Sequence, residues 1–276
     1  MNLDISQWTI DPILSEGYRA ECAAAAADPD LFARFRRGKF MGGVVENKPQ
    51  DWPALMLETV RAAAPEILDH WEDIRRLDAI GDPPRPPLPD GRPGLSGSMA
   101  GYLMQAAMLR YWFGLLDGLR IVELGGGYGG LAALVSLLWR PASYTIFDLP
   151  EACDLQDRYL HAAGVPGAFL LKSRLQSHPS DLFISSCGLC EMGPGLVEAV
   201  GRRLIASSAR GMFGGCQLRT EAGRADGHPA VSAQLAQWLP GRRFRLGAVE
   251  SPFAELFSTG ECHWGSSYLF WERVTG

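Results

Sequence analysis

The stretch Ile121-Val-Glu-Leu-Gly-Gly-Gly-Tyr-Gly-Gly130 decides the fold of this chain. Its first half is a short apolar run, and its second half consists almost entirely of glycine. Glycines let the backbone turn tightly and let a ligand approach without a Cβ in the way. Because a helical pattern follows directly, we predict a strand, a glycine turn and a helix whose amide end faces a nucleotide-like cofactor. A tight turn without a ligand is the alternative, since a glycine fingerprint alone is a weak signal.

Short apolar runs alternate with helical patterns on the C-terminal side of this turn. Strands are predicted at Arg120 to Leu124, Ser143 to Phe147, Ala168 to Leu171, Leu182 to Ser186, Met212 to Gly215, Phe244 to Val249 and Tyr268 to Trp271. Helices are predicted at Gly130 to Trp139, Glu151 to Ala163, Leu196 to Ser207 and Ala230 to Leu239. Such alternation is typical of a parallel sheet covered by helices on both faces. Only Ser251 to Gly265 separates the last two runs, so we expect them to pair as an antiparallel hairpin.

The N-terminal part of the chain has helical patterns only. They run from Asp11 to Ala27, from Pro53 to Ala63 and onward from Pro65. Six prolines between Gly81 and Gly97 then exclude a helix or a central strand. We predict a helical cap with a proline-rich connection at residues 1–97 and a sheet domain at residues 98–276. The predicted fold is α/β: a Rossmann-like, seven-stranded, mostly parallel sheet with an antiparallel last strand, preceded by a helical N-terminal cap.

Two further predictions concern polar side chains in and after the cap. Ser98 is expected to cap a helix from Met99 to Phe113. The basic residues around Phe35 are interpreted as a solvated surface patch rather than an anion site. These residues are Arg34, Arg36, Arg37 and Lys39.

Composition narrows the class of protein. The 276 residues include 26 Lys and Arg against 31 Asp and Glu, a net charge of −5 that argues against a nucleic-acid partner. No apolar run approaches the ~20 residues that span a bilayer, and Met1-Asn2-Leu3-Asp4 lacks the order of a signal peptide. We therefore expect a cytoplasmic enzyme with no membrane partner. Its six cysteines are scattered, which favours reduced thiols.

Cys187-Gly-Leu-Cys190 admits a competing interpretation, because thioredoxin-like redox sites are built from such a pair at a strand-to-helix junction. Its late position in the chain favours a small apolar lining instead. A zinc site would need a second pair of ligands, and no Asp or Glu spacing singles out magnesium, so no metal is predicted.

Two carboxylates near the glycine turn make the prediction of its cofactor more specific. Asp148 ends the second predicted strand about twenty residues after the turn, where an acidic side chain accepts hydrogen bonds from ribose hydroxyls. Glu123 lies two residues before the first glycine, inside an apolar strand where a bare charge is costly, so it needs a cationic partner. The methionine amine of S-adenosylmethionine supplies that partner, whereas a dinucleotide pyrophosphate would be repelled.

The pattern Glu-x-Gly-x-Gly at 123–127 resembles the first motif of class I methyltransferases, and the reversed last strand agrees with their sheet. With Phe147-Asp-Leu-Pro-Glu151, Asp181 to Met192 and Ile80-Gly-Asp-Pro83, the chain resembles a bacterial family of sugar O-methyltransferases over roughly its last two-thirds. The resemblance implies S-adenosyl-L-methionine as cofactor, with Glu123 on its amine, Asp148 on its ribose and Leu149 on its adenine. Gly125, Gly126 and Gly127 would line it, and either Ser173 or Arg174 would contact the adenine edge.

Methyl transfer to a hydroxyl also needs a group that removes the acceptor proton. The site is expected at the carboxyl ends of the parallel strands, and three candidate bases are predicted to lie at that edge of the sheet. His263 is the first choice because an imidazole with a pKa near ~6.5 can accept a proton at neutral pH. Glu191 is second, as a base or an acceptor-binding carboxylate, and His228 is third. Trp264, beside His263, could cover a ring-shaped acceptor.

The function predicted is therefore S-adenosylmethionine-dependent O-methylation of a hydroxyl on a sugar, a glycoside or another small natural product. An NAD-dependent oxidoreductase is one alternative, and a catalytically inactive binding subunit with the same fold is another. The helical cap is expected to cover the cofactor and to form much of the acceptor pocket. Because related enzymes form dimers through such helices, a homodimer is a further hypothesis.

Overall fold

The computed structural model describes residues 3–4, 12–46, 52–88, 91, 93–165, 167, 169–186, 188–214, 238–239, 242–246 and 269–273. Its α-helices are α1 (Pro12–Ala27), α2 (Pro29–Phe32), α3 (Lys39–Met41), α4 (Trp52–Ala63), α5 (Trp71–Ala79), α6 (Gly97–Phe113), α7 (Gly130–Leu138), α8 (Pro150–Ala163) and α9 (Pro194–Val200). Shorter 3₁₀ or π-helical segments occupy Phe35–Arg37, Gly42–Glu46, Pro65–His70, Gly188–Glu191 and Gly201–Ile205.

The strands form one large sheet and one small one. They are β1 (Leu3–Asp4), β2 (Arg120–Leu124), β3 (Ser143–Phe147), β4 (Phe169–Lys172), β5 (Arg174–Leu175), β6 (Ser180–Ser185), β7 (Ser208–Phe213), β8 (Arg242–Leu246) and β9 (Leu269–Arg273). The large sheet has seven strands in the order β4-β3-β2-β6-β7-β9-β8, and β1 pairs with β5 separately. All neighbours from β4 to β7 are parallel, whereas β9 is antiparallel to both β7 and β8.

This sheet confirms the predicted α/β fold with a mostly parallel sheet and a reversed last strand. The strand order changes direction between β2 and β6, and the glycine turn follows β2 at that point. Ligands of open α/β sheets bind where the order reverses, beyond the carboxyl ends of the strands. The turn therefore lies at the edge of the sheet where such a fold binds its cofactor. Of the predicted helix at Ala230 to Leu239, only residues 238–239 belong to the described part.

The N-terminal helices pack directly on the sheet domain. Helix α1 lies against α8, where Arg19 pairs with Glu151 at 2.8 Å, and α4 lies against α6. Buried side chains of the cap, such as Met56 and Ile74, belong to the same hydrophobic core as Leu124 of β2. None of the helices in the described ranges has both the length and the apolarity needed to cross a membrane.

Two sequence predictions about polar residues in this region are wrong. Helix α6 is capped by Ser96, whose hydroxyl accepts from the Met99 amide at 3.1 Å, and Ser98 lies inside the first turn. Arg36 is not on a solvated patch but is completely buried. Its neighbours Arg34, Arg37 and Lys39 are exposed, as expected. The local sequence does not show that acidic partners arrive at Arg36 from distant segments.

Candidate functional site

The glycine turn has a conformation that requires glycine at several positions. Gly125, Gly127 and Gly129 have φ values of 77°, 58° and 92°, in the left-handed region. The Gly125 amide donates to the Phe147 carbonyl at 3.0 Å, which ties the turn to the end of β3. A Cβ on Gly126 would lie 2.7 Å from Ile146 Cγ2, so this residue has no room for a side chain.

Glu123 is buried at the end of β2, with only 3% of its surface exposed. The Tyr144 hydroxyl donates to its Oε2 at 2.9 Å. Burial raises the pKa of Glu123 to about 7, the Tyr144 hydrogen bond opposes this rise, and the nearby Asp148 charge adds to it. None of these influences is cationic. A buried carboxylate in such surroundings gains from an ammonium group, because an opposite charge favours its ionised form.

Asp148 follows β3 and is also buried, with 4% of its surface exposed. Its Oδ1 accepts from the Leu149 amide and its Oδ2 from Gln156 Nε2, both at 2.8 Å. Burial raises the pKa of Asp148 to about 7 against the lowering effect of these bonds and of the Gly126 and Gly127 amides. Since those amides reach Asp148, the carboxylate and the glycine turn form one unit.

Gln156 on α8 strengthens that unit. Besides Asp148, its Nε2 donates to the Gly127 carbonyl at 2.9 Å, so one amide group holds both the turn and the carboxylate. The sequence reasoning missed Gln156 and Tyr144. The position of Gln156 could have indicated its role, because it lies about two turns into the helix that begins at Pro150, two residues after Asp148.

Side chains of the cap and of α6 cover this site. A Cβ on Gly127 would lie 3.6 Å from the Tyr102 hydroxyl and 4.0 Å from Val45 Cγ2. On α1, burial is the main cause that raises the pKa of Tyr18, and the charges of Cys22 and Asp148 raise it further. Tyr18 of the cap is therefore close to Asp148. These contacts agree with the expectation that the cap covers the cofactor side of the sheet.

The candidate acceptor side is described only in part. Glu191 ends the 3₁₀ segment that follows β6, next to β2, so its backbone lies at the same edge of the sheet as the glycine turn. The Ser186 hydroxyl donates to Gln105 Oε1 at 2.7 Å, which ties the end of β6 to α6. His263, His228, Trp264 and Cys187 lie outside the described residues. Within the described ranges, no three His, Cys, Asp or Glu residues are grouped to hold a metal ion.

The predicted adenine-side residues follow β3 and β4. Leu149 is buried beside Asp148. Ser173 comes directly after β4, and Arg174 is an exposed residue of β5, paired with Asp4 of β1. The structure thus brings Glu123, the three glycines, Asp148 and Leu149 together at one edge, and it leaves the choice between Ser173 and Arg174 open.

Several of the known proteins that this chain resembles are methyltransferases. No protein-family model matches the chain. A protein-L-isoaspartate O-methyltransferase from Pyrococcus abyssi is 29% identical over 126 residues, which are 43% of this chain. The match spans 56% of the length of that curated relative.

Among the solved structures with a similar fold are the following two methyltransferases. Magnesium protoporphyrin IX methyltransferase from Synechocystis PCC 6803, with bound SAH, is 17% identical over 63% of this chain and 82% of its own, with a TM-score of 0.45. Ribosomal protein L11 methylase from Lactobacillus delbrueckii is 14% identical over 62% and 78%, with a TM-score of 0.40. The parallel strands and the reversed strand of the large sheet agree with the class I methyltransferase fold that the sequence predicts. None of these likenesses shows the sugar O-methyltransferase family.

Proposed function

We propose that this protein binds S-adenosyl-L-methionine and transfers its methyl group to a hydroxyl of a small acceptor. The acceptor class that we propose is a sugar or a glycoside. The observation that carries the proposal is Glu123: a carboxylate buried beside a glycine turn, with a pKa raised to about 7 and a neutral phenol as hydrogen-bond donor. A cofactor amine would convert this costly group into an ion pair. An NAD pyrophosphate at the same place would add a second negative charge.

Each remaining part of the site has a matching task. Asp148 would accept hydrogen bonds from the ribose, while Gln156 holds its second oxygen and the Gly127 carbonyl in place. Gly125, Gly126 and Gly127 let the backbone lie against the cofactor, and Leu149 offers an apolar contact to the adenine. The sulfonium supplies an activated methyl group, so the protein has to align the acceptor and remove its proton.

The proposal for the residues on the acceptor side rests on the sequence. His263 is proposed as the general base, and Glu191, whose backbone follows β6, is the second candidate, as a base or as a carboxylate that binds the acceptor. The resemblance to sugar O-methyltransferases supports oxygen as the methylated atom. Because one fold serves many acceptors, the acceptor class needs direct measurement.

Isothermal titration calorimetry tests the cofactor. We expect heat from S-adenosylmethionine and S-adenosylhomocysteine and none from NADH. Asp148→Ala should weaken binding at least tenfold, because each hydrogen bond to a charged group contributes ~1.5–3 kcal/mol. The matched control is Asp154→Ala, an exposed residue of α8, which should bind normally. Heat from NADH alone would refute the proposal and favour the oxidoreductase.

A mass-spectrometric screen of pooled acceptors, including sugars and glycosides, tests the reaction. The expected product is heavier by one methyl group and has it on oxygen. Cofactor binding without turnover on any acceptor would instead indicate an inactive binding subunit. A methyl group on nitrogen or carbon would refute O-methylation but keep the cofactor assignment.

A further inference from the structure

A buried ionic cluster lies where the cap meets the sheet domain. Arg36 is fully buried, and its Nε donates to Glu46 Oε1 at 2.5 Å while Nη2 donates to Asp78 Oδ1 at 3.0 Å. Nη2 also lies 2.5 Å from Ser96 Oγ and 2.8 Å from Ser98 Oγ. Removing any one partner of a buried charge is strongly unfavourable, so the cluster favours one arrangement of the segments that supply it.

The cluster reaches the glycine turn through Ser98. Its hydroxyl donates to Glu46 Oε1 at 2.8 Å and lies 3.0 Å from the Tyr128 hydroxyl. Since the single Ser98 proton goes to Glu46, the Tyr128 hydroxyl is the donor of the second bond. The Arg36 guanidinium carbon also lies 4.7 Å from the centre of the Tyr128 ring.

Tyr128 is the one residue of the turn with a large side chain, and its ring is held by side chains from outside the turn. It sits between Gly127 and Gly129, which both have positive φ. Its ring packs edge-on against Tyr159 at 4.8 Å between centroids and against Phe35 at 5.6 Å. The conformation of the turn is thus tied to the position of the Phe35–Arg37 segment in the cap.

We propose that Arg36 is a positioning residue that acts through Ser98 and Tyr128 to set the glycine turn for the cofactor when the cap is closed. This inference rests on the proposed cofactor function. In the structure the cap covers the turn, and Glu123 and Asp148 are almost inaccessible. The cofactor must therefore enter with the cap displaced, and closure rebuilds the cluster and the turn together. Loss of the Tyr128 bond would loosen the turn while the core stays intact.

Tyr128→Phe and Ser98→Ala test this coupling, because each removes one hydroxyl and leaves Arg36 its acidic partners. We expect the Kd for S-adenosylhomocysteine to rise about fivefold, mainly through faster dissociation, since one net hydrogen bond is lost. Amide hydrogen exchange in residues 125–130 should accelerate by a similar factor. Arg36→Lys keeps the charge but loses the forked geometry, so it should show larger effects in both measurements. The matched control is Arg37→Lys, an exposed neighbour.

The two measurements separate the possible failures. If the wild-type protein does not bind S-adenosylhomocysteine, the proposed function fails, and hydrogen exchange still decides whether Tyr128 holds the turn. If Tyr128→Phe and Ser98→Ala lower only the melting temperature, with unchanged Kd and unchanged exchange at 125–130, the cluster is structural and the inference is refuted. Should Arg36→Lys fail to fold, these two variants decide the question alone.

Discussion

Glu123→Gln should make the protein more stable and, at the same time, a poorer binder of its cofactor. The glutamine has nearly the same shape, and its carbonyl oxygen can still accept from the Tyr144 hydroxyl. It removes the charge that burial makes costly. Burial raises the pKa of Glu123 from its ordinary 4.5 to about 7, so the folded protein holds this proton over a pH range in which the unfolded chain releases it.

The magnitude follows from proton linkage. Above pH 4.5 the unfolded chain gains by ionising, so wild-type stability falls as the pH rises and reaches its full deficit above pH 7. The gap between the two pKa values corresponds to about 3 kcal/mol at about 1.4 kcal/mol per pH unit. Relative to wild type, Glu123→Gln should raise the free energy of unfolding by about 3 kcal/mol at pH 8 and by less than about 1 kcal/mol at pH 5.

Urea unfolding at pH 5 and pH 8 measures this difference, with exposed Glu58→Gln on α4 as the matched control. Calorimetry at pH 8 should also show the variant's affinity for S-adenosylhomocysteine reduced about 10- to 100-fold, because a charge-assisted bond to the amine is lost. An equal stability difference at both pH values would refute the account of Glu123 as a costly buried charge. Unchanged affinity would remove it from the amine site.

Three further outcomes are expected. Gly126→Ala should lower both the melting temperature and the cofactor affinity, because its Cβ would lie 2.7 Å from Ile146. Gly193→Ala is the control: a Cβ there has nothing within 4 Å, so the same melting and calorimetry measurements should show no change. Gln156→Leu should raise the Kd for S-adenosylhomocysteine at least fivefold through the loss of the amide that bridges turn and carboxylate; unchanged binding would make that amide dispensable. His263→Gln should lower kcat ~10²–10⁴-fold with an unchanged cofactor Kd, and wild-type kcat/KM should fall as the pH drops through the imidazole pKa; comparable turnover would transfer the role to another base.

The sequence alone predicted the parts of this protein that depend on short-range patterns. The bounds of β2 and β3 were predicted to the residue, because each is a short, mostly apolar stretch that ends directly before a glycine or an aspartate. The same reasoning placed the glycine turn and Asp148 at the ends of neighbouring strands. A parallel sheet brings the carboxyl ends of its strands to one edge, so the cofactor side followed from chain order.

Tertiary structure decided which polar side chains meet. Arg36 looks like its exposed neighbours in the sequence, and only the folded chain brings Glu46, Asp78 and Ser98 to it from 10, 42 and 62 residues away. The role of Ser96 as the helix cap, in place of Ser98, also depends on where the proline-rich connection enters α6. Local propensity is a weak prior at such places, because the burial of a charge is set by partners that are distant in the sequence.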